Sequence, residues 1–206
     1  MLGGNMKQNR KTRGIQDAVS RIYARYLYLL GFRTSVVTDA TGLSESQARN
    51  LKKELKEEGI VVKDQPGPGS MADGLVNSRS GYLQASILMN IYRSLNPNAE
   101  RNLDLESVIE AYSIYLKEIG AIFRNSIDYD LSAEGFERFT IQQAYSLAAA
   151  LRSNDIDYSA SMRECPDCKT YFYFTTRQTV VDDCPFCNWR VRSISSGTAN
   201  QNAALP

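Results

Sequence analysis

Histidine is missing from all 206 residues, and that absence excludes a wide range of chemistry. A Ser-His-Asp hydrolase, a Cys-His protease, a His-ligated metalloenzyme and a histidine pH switch each need an imidazole. Long apolar runs are missing as well. No stretch approaches the roughly 18 apolar residues of a membrane span, which predicts a chain without a membrane anchor. Between Met1 and Arg13 the chain is polar and basic, with no apolar segment ahead of a small-residue cleavage site, so no secretory signal is expected. The expected location is cytoplasmic. An excess of either charge is also lacking, with 24 Lys and Arg against 23 Asp and Glu. What is present is an ordinary globular composition, 43% hydrophobic and 23% charged.

The neutral total conceals an uneven distribution. Residues 1–63 carry 12 Lys/Arg against 6 Asp/Glu, a net of +6. Residues 64–164 carry 8 against 14, a net of −6, and residues 165–206 carry 4 against 3, a net of +1. A basic front and an acidic middle suggest one surface for a polyanion and another for a different partner. Uneven solvated faces would give the same numbers, so charge alone does not choose. Boundaries are clearer, because Gln65-Pro66-Gly67-Pro68-Gly69-Ser70 can be crossed by neither helix nor strand.

The four cysteines fall as Cys165-Pro166-Asp167-Cys168 and Cys184-Pro185-Phe186-Cys187, with 15 residues between the pairs. This spacing is a strong zinc signature. Two thiolates separated by two residues chelate from a tight turn, and two such turns complete a tetrahedron. Tyr171-Phe172-Tyr173-Phe174-Thr175-Thr176 and Thr179-Val180-Val181 are aromatic and β-branched, and predict a hairpin between the turns. The expectation is a zinc-ribbon-like module holding one structural Zn2+, since four thiolates leave no open position for a substrate. Lys169 and Asn188 follow the two turns where ribbons often have glycine, and Lys fits a left-handed conformation less readily than Asn. Two disulfides or a redox pair are the alternatives. They are weakened by the expected absence of a secretion signal and of a thioredoxin-like βαβ pattern.

In the front segment a short helix should end at Gly42. Ser44 then caps a second helix, with Gln47 completing a capping box. Ala48, Leu51 and Leu55 mark its buried face at helical spacing. Short helix, glycine turn and capped helix make a helix-turn-helix plan. Ser46, Arg49, Asn50 and Lys53 lie opposite the apolar stripe, and their chemistry suits a DNA groove. An ordinary helical hairpin with a solvated face is the competing reading. Gly59-Ile60-Val61-Val62-Lys63 reads as a short strand leading into a wing. Upstream, Ile15, Val19, Ile22, Tyr26 and Leu29 form a narrow seam at spacings of four and three. The seam suits a partner helix, within the domain or from another chain, and core packing is the expected use.

Three amphipathic helices follow. One carries Tyr82, Leu83, Ile87, Leu88, Ile91, Tyr92 and Leu95, and a second Leu105, Val108, Ile109, Tyr112, Tyr115, Leu116 and Ile119. The third carries Phe136, Phe139, Ala144, Leu147 and Leu151. The 12 tyrosines are expected in the core first and at interfaces second. No pair of carboxylates stands out for acid–base work, no glycine-rich loop would cradle a phosphate, and the thiols are committed to a metal. An enzyme and a small-molecule substrate are not expected.

The order of these parts resembles the FlhC family of bacterial flagellar transcriptional activators. The resemblance spans about residues 15 to 192. It rests on the helix-turn-helix-like front, the Pro-rich break, Ala111-Tyr112-Ser113-Ile114-Tyr115-Leu116, Gln143-Ala144-Tyr145-Ser146-Leu147 and the four-cysteine segment. It implies a zinc site at Cys165, Cys168, Cys184 and Cys187 and no enzymatic activity. It also implies a hetero-oligomer with an FlhD-like subunit, promoter DNA as ligand and recruitment of RNA polymerase. Lys169, Arg177, Arg190 and Arg192 flank the cysteines and are further candidates for phosphate contact. The expected architecture is mainly α. A flexible basic arm covers 1–13, a helix-turn-helix-like DNA-binding unit 14–64 and a Pro/Gly linker 65–81. A helical core and partner-binding region covers 82–164, a zinc-ribbon-like module 165–192 and a disordered tail 193–206. A winged-helix plus zinc-ribbon adaptor that binds mainly protein partners is the alternative reading.

Overall fold

The computed structural model describes residues 4–62, 71–125, 137–152, 160–179 and 183–187, with side chains described for 14–62 and 71–121 in the first two spans. The chain divides into two compact units, Met1–Pro68 and Gly69–Pro206. The described residues are mainly helical, with one small two-stranded sheet. None of their helices is long and apolar enough to cross a membrane.

The first unit contains α1 (Gly4–Leu30), α2 (Thr34–Thr41) and α3 (Glu45–Glu57). Residues 4–13, expected as an arm, continue α1; Met, Lys, Gln and Arg in this stretch are good helix formers. Phe32, Val36, Val37, Ala48, Leu51 and Leu55 pack against Ala24, Leu27 and Tyr28 of α1 in the core of this unit. Tyr28 is fully buried and satisfies its hydroxyl by donating to the Ala48 carbonyl at 3.1 Å. Ser20 donates to the Thr41 carbonyl at 3.0 Å, closing one free acceptor at the end of α2. Two ion pairs add exposed links between α1 and α3, Arg21–Glu54 at 2.9 Å and Arg25–Glu58 at 2.6 Å.

The seam expected in the core is not there. Ile15, Val19, Ile22, Tyr26 and Leu29 are all exposed, and α1 buries the opposite face instead. The small Ala24 allows close approach on that face, and Tyr28 finds a polar partner there. The expected strand after α3 is also absent. Gly59 adopts a left-handed φ of 78°, the Ile60 N–H donates back to the Leu55 carbonyl at 3.0 Å, and residues 60–62 form no strand. Lys63 and the Pro/Gly cluster lie outside the described residues.

The second unit contains α4 (Ala72–Leu75), α5 (Arg79–Leu95), α6 (Leu105–Asn125), α7 (Ile141–Arg152), β1 (Ala160–Glu164) and β2 (Tyr171–Thr175). Helix α5 is central, packing against α6, α7 and β2. The predicted apolar stripes supply this core, with Leu88, Val108, Ile119, Leu147 and Leu151 all buried. Tyr92, Tyr112, Tyr115 and Tyr173 each bring it a large apolar ring whose hydroxyl finds a partner. The Tyr115 hydroxyl bonds Gln84 and accepts the Phe139 N–H at 3.1 Å, while Tyr112 donates to the Phe139 carbonyl at 2.9 Å. Burial pushes the Tyr115 phenol up to about 12, so it remains a neutral donor.

Gly81 marks a tight approach in this unit, since a Cβ there would stand 2.2 Å from the Leu75 carbonyl oxygen. Gly81→Ala is expected to cost about 1–3 kcal/mol in urea unfolding, because the neighbour is backbone and cannot swing aside.

Candidate metal centre and candidate nucleic-acid face

Strand β1 runs antiparallel to β2, with Glu164 opposite Tyr171 and Ala160 opposite Thr175. The turn between them carries the first cysteine pair. The Cys165 N–H donates to the Thr170 carbonyl and the Lys169 N–H to the Cys165 carbonyl, both at 3.0 Å. Closing this turn requires Lys169 at φ 59°, the left-handed conformation in which glycine is the easier occupant. The strand after the first cysteine pair pairs backward with 160–164. Thr179 is outside any strand, and Val180 and Val181 lie outside the described residues.

The second pair is carried by 183–187, where residues 185–187 are helical. All four sulfurs lie within 4.8 Å of one another, with Cys165–Cys187 at 3.8 Å and Cys168–Cys184 at 3.7 Å. Zn–S bonds of about 2.3 Å directed to a tetrahedron give S···S edges of about 3.8 Å, so the spacing fits a four-thiolate metal site. The thiols are free, and these separations are far beyond the ~2.05 Å of a disulfide. Cys165 and Cys184 are buried, and Cys168 and Cys187 half-buried.

Donors are already aimed at the sulfurs. Hydrogen bonds from the hydroxyl and backbone N–H of Thr170 hold the Cys168 thiol down to about 6. That sulfur in turn pushes Cys187 up to about 12. Burial pushes Cys184 up, while the N–H groups of Phe186 and Cys187 oppose it. Four adjacent thiols cannot all shed their protons unaided, and a divalent cation supplies the missing positive charge. The four cysteines thus form a set able to hold one metal ion.

This centre is not an appendage to the helices of its unit. The Tyr173 N–H donates to Ser86 at 3.1 Å, and its fully buried hydroxyl donates to the Leu147 carbonyl at 3.2 Å. The Asn90 amide bonds the Tyr171 carbonyl, and Phe172 meets Tyr82 edge-on at 6.3 Å. Arg93 lies 4.3 Å over the Tyr171 ring, and Arg163 lies over Phe174 at 3.2 Å. These docking residues are far from the cysteines in sequence or lack a local motif, and only the pairing of β2 brings them to light. Lys169 and Arg177 are exposed on this module. Arg190 and Arg192 lie outside the described residues, as do Asn188 and the tail 193–206.

In the first unit the local reading of α2 and α3 holds in detail. Gly42 adopts φ 70° and ψ 8°, and its N–H donates to the Thr38 carbonyl at 2.9 Å. Ser44 accepts the Gln47 N–H at 3.3 Å while the Gln47 amide oxygen accepts the Ser44 N–H at 2.9 Å. Ser44→Ala should therefore lower thermal stability by about 1 kcal/mol, read as a reduced Tm of the helical signal. Opposite the buried Ala48, Leu51 and Leu55, the structure exposes Ser46, Arg49, Asn50 and Lys53 together. Arg49 pairs with Glu45, and Lys53 approaches Glu57 at 3.5 Å. All four charged side chains are more than 60% exposed, so these pairs are weak and a phosphate can displace the carboxylates. No protein-family model matches the chain, and neither does any curated protein.

Proposed function

We propose that the chain is a DNA-binding transcriptional activator of flagellar genes that works with an FlhD-like subunit and recruits RNA polymerase. The observation that carries the reading is the pair α2 and α3. A left-handed glycine joins them, a capping box starts α3, and one apolar stripe seats α3 so that Ser46, Arg49, Asn50 and Lys53 face outward. We read this pair as a helix-turn-helix with α3 as its recognition helix. Arg49 and Asn50 suit guanine and adenine edges, and Lys53 suits a phosphate. Lys169 and Arg177 add phosphate contacts from the metal module, as would Arg190 and Arg192.

The metal is Zn2+, held by Cys165, Cys168, Cys184 and Cys187. Four thiolates close its coordination, so it shapes the module and activates no water. The chain catalyses no reaction in this reading and acts in the cytoplasm, where unpaired thiols persist. The resemblance in part order to FlhC supports the flagellar assignment and the partner subunit.

The ion pairs Arg49–Glu45 and Lys53–Glu57 favour a second reading, an adaptor that meets mainly proteins, because they lower the net charge of the α3 face. A gel shift with a flagellar promoter fragment, run with the chain alone and with an FlhD-like subunit, separates the two. A retarded band that requires the chain supports the activator. Recruitment of the partner or polymerase without any DNA retention supports the adaptor.

A further inference from the structure

Helix α3 carries a carboxylate among the residues assigned to DNA. Glu45 is its first residue, and its side chain is 67% exposed. Arg49 follows one turn later on the same face and is paired with it. Ser46 and Asn50 stand beside them, both exposed. The start of α3 does not need this acid, because Ser44 and Gln47 already satisfy the N–H groups of the capping box. Its attraction to the helix dipole and to Arg49 is weak at this exposure. A negative charge here also opposes the approach of phosphates. Such a charge is favourable on this face only where DNA offers it a donor.

We propose that Glu45 is a specificity-determining residue of α3, accepting a hydrogen bond from a cytosine amino group in the major groove. The inference rests on α3 acting as a recognition helix, whose N-terminal residues meet base edges. Only cytosine and adenine present an amino donor in that groove. Adenine sets its N7 acceptor beside the donor, where it repels a carboxylate, and cytosine has no acceptor there. Arg49 bonds Glu45 from about 6 Å further along the helix, close to two base-pair steps of about 3.4 Å. The two side chains therefore present an acceptor and a fork of donors side by side. They match cytosine N4 and the O6 and N7 of a guanine.

The same charge acts against other sequences. Where no amino group faces it, the carboxylate loses water and gains no partner, so the wrong site is penalised. Glu45 thus lowers affinity for DNA in general and raises the ratio of specific to non-specific binding. Glu57 offers the contrast. It is also exposed and approaches Lys53 at 3.5 Å, but it stands at the far end of α3. There it repels the phosphates of any sequence alike and reads no base.

The test is fluorescence anisotropy of the metal-loaded full-length chain, together with the FlhD-like partner proposed for it. Two duplexes of equal length serve as probes, a flagellar promoter fragment and a random-sequence fragment. Glu45→Gln should bind the random fragment about fivefold more tightly, the effect of one unit charge near a phosphate in water. It should bind the promoter no more tightly than the wild type does, so the ratio of the two affinities falls about fivefold. Its far-UV CD should be unchanged. Glu57→Gln should tighten both complexes alike and leave the ratio as it was. From a randomised duplex pool, the wild type should select a G·C pair at a position where Glu45→Gln accepts any pair. An unchanged ratio for Glu45→Gln, or the same selected site for both proteins, overturns the proposal and leaves α3 as the DNA face. A wild type that retains neither duplex removes the recognition-helix reading, and this inference with it.

Discussion

Cys184→Ser is expected to abolish metal binding and to unfold the cysteine module. Purified wild-type chain should carry about one Zn2+ per molecule, read by elemental analysis after dialysis, and the variant none. Removal of one ligand from a four-thiolate site forfeits binding energy on the order of 10 kcal/mol. The hydroxyl of serine does not replace a thiolate on zinc. The effect should reach beyond the turn, because β2 lies between the cysteines and α5. Loss of the metal frees the 183–187 segment from Cys165 and Cys168 and removes the restraint that closes the Lys169 turn. The near-UV signal of Tyr171 and Tyr173 should weaken, while α5 to α7 keep most of their far-UV helicity through Tyr115, Leu88 and Leu147. A chelator added to the wild type should reproduce the same change. Full retention of zinc by the variant would remove the four-cysteine assignment.

Tyr173→Ala is expected to destabilise the second unit by about 3–5 kcal/mol. Its ring is fully buried, and its hydroxyl reaches Leu147 on α7 while its backbone reaches Ser86 on α5. One residue therefore ties the sheet to two helices. Tyr173→Phe keeps the ring and loses the hydroxyl, leaving the Leu147 carbonyl without that donor, and should cost about 1 kcal/mol. Urea unfolding of the metal-loaded protein measures both. The contrast between them separates packing from hydrogen bonding. Equal losses in the two variants would mean that the hydroxyl, not the ring, holds the sheet in place. With domain stabilities of only about 5–15 kcal/mol, the alanine variant should be marginal at physiological temperature.

The parts legible in the sequence are those whose physics is local. Gly42 and the Ser44–Gln47 box sit within six residues of one another, and each declares its geometry through its own side chain or lack of one. The cysteine pairs likewise announce a metal site, because each chelating turn spans four residues. Strand β1 shows the opposite case. Ala-Ser-Met-Arg-Glu has no β-branched or aromatic residue, and it is a strand only because Tyr171–Thr175 pairs with it. The docking of β2 was equally hidden, since Ser86 and Asn90 lie more than 80 residues upstream of the groups they bond. In α1, periodicity finds an apolar seam and cannot tell which face the fold covers. The larger seam at 15–29 is left exposed, and the less conspicuous Ala24, Leu27 and Tyr28 are buried.

The central claim is that α3 meets DNA through its outward face, and the salt dependence of binding tests it most directly. Affinity of the chain, together with the FlhD-like partner proposed for it, for a flagellar promoter fragment should fall linearly on a log–log plot against salt, with a slope of about −0.9 per neutralised phosphate. Arg49→Ala combined with Lys53→Ala should weaken binding and flatten that slope by about 1 for each of the two side chains that meets a phosphate. Ala at these exposed positions leaves the buried stripe of α3 untouched and favours helix, so the fold is expected to survive. Unchanged affinity and unchanged slope in the folded double variant would contradict the account and move the DNA surface away from α3.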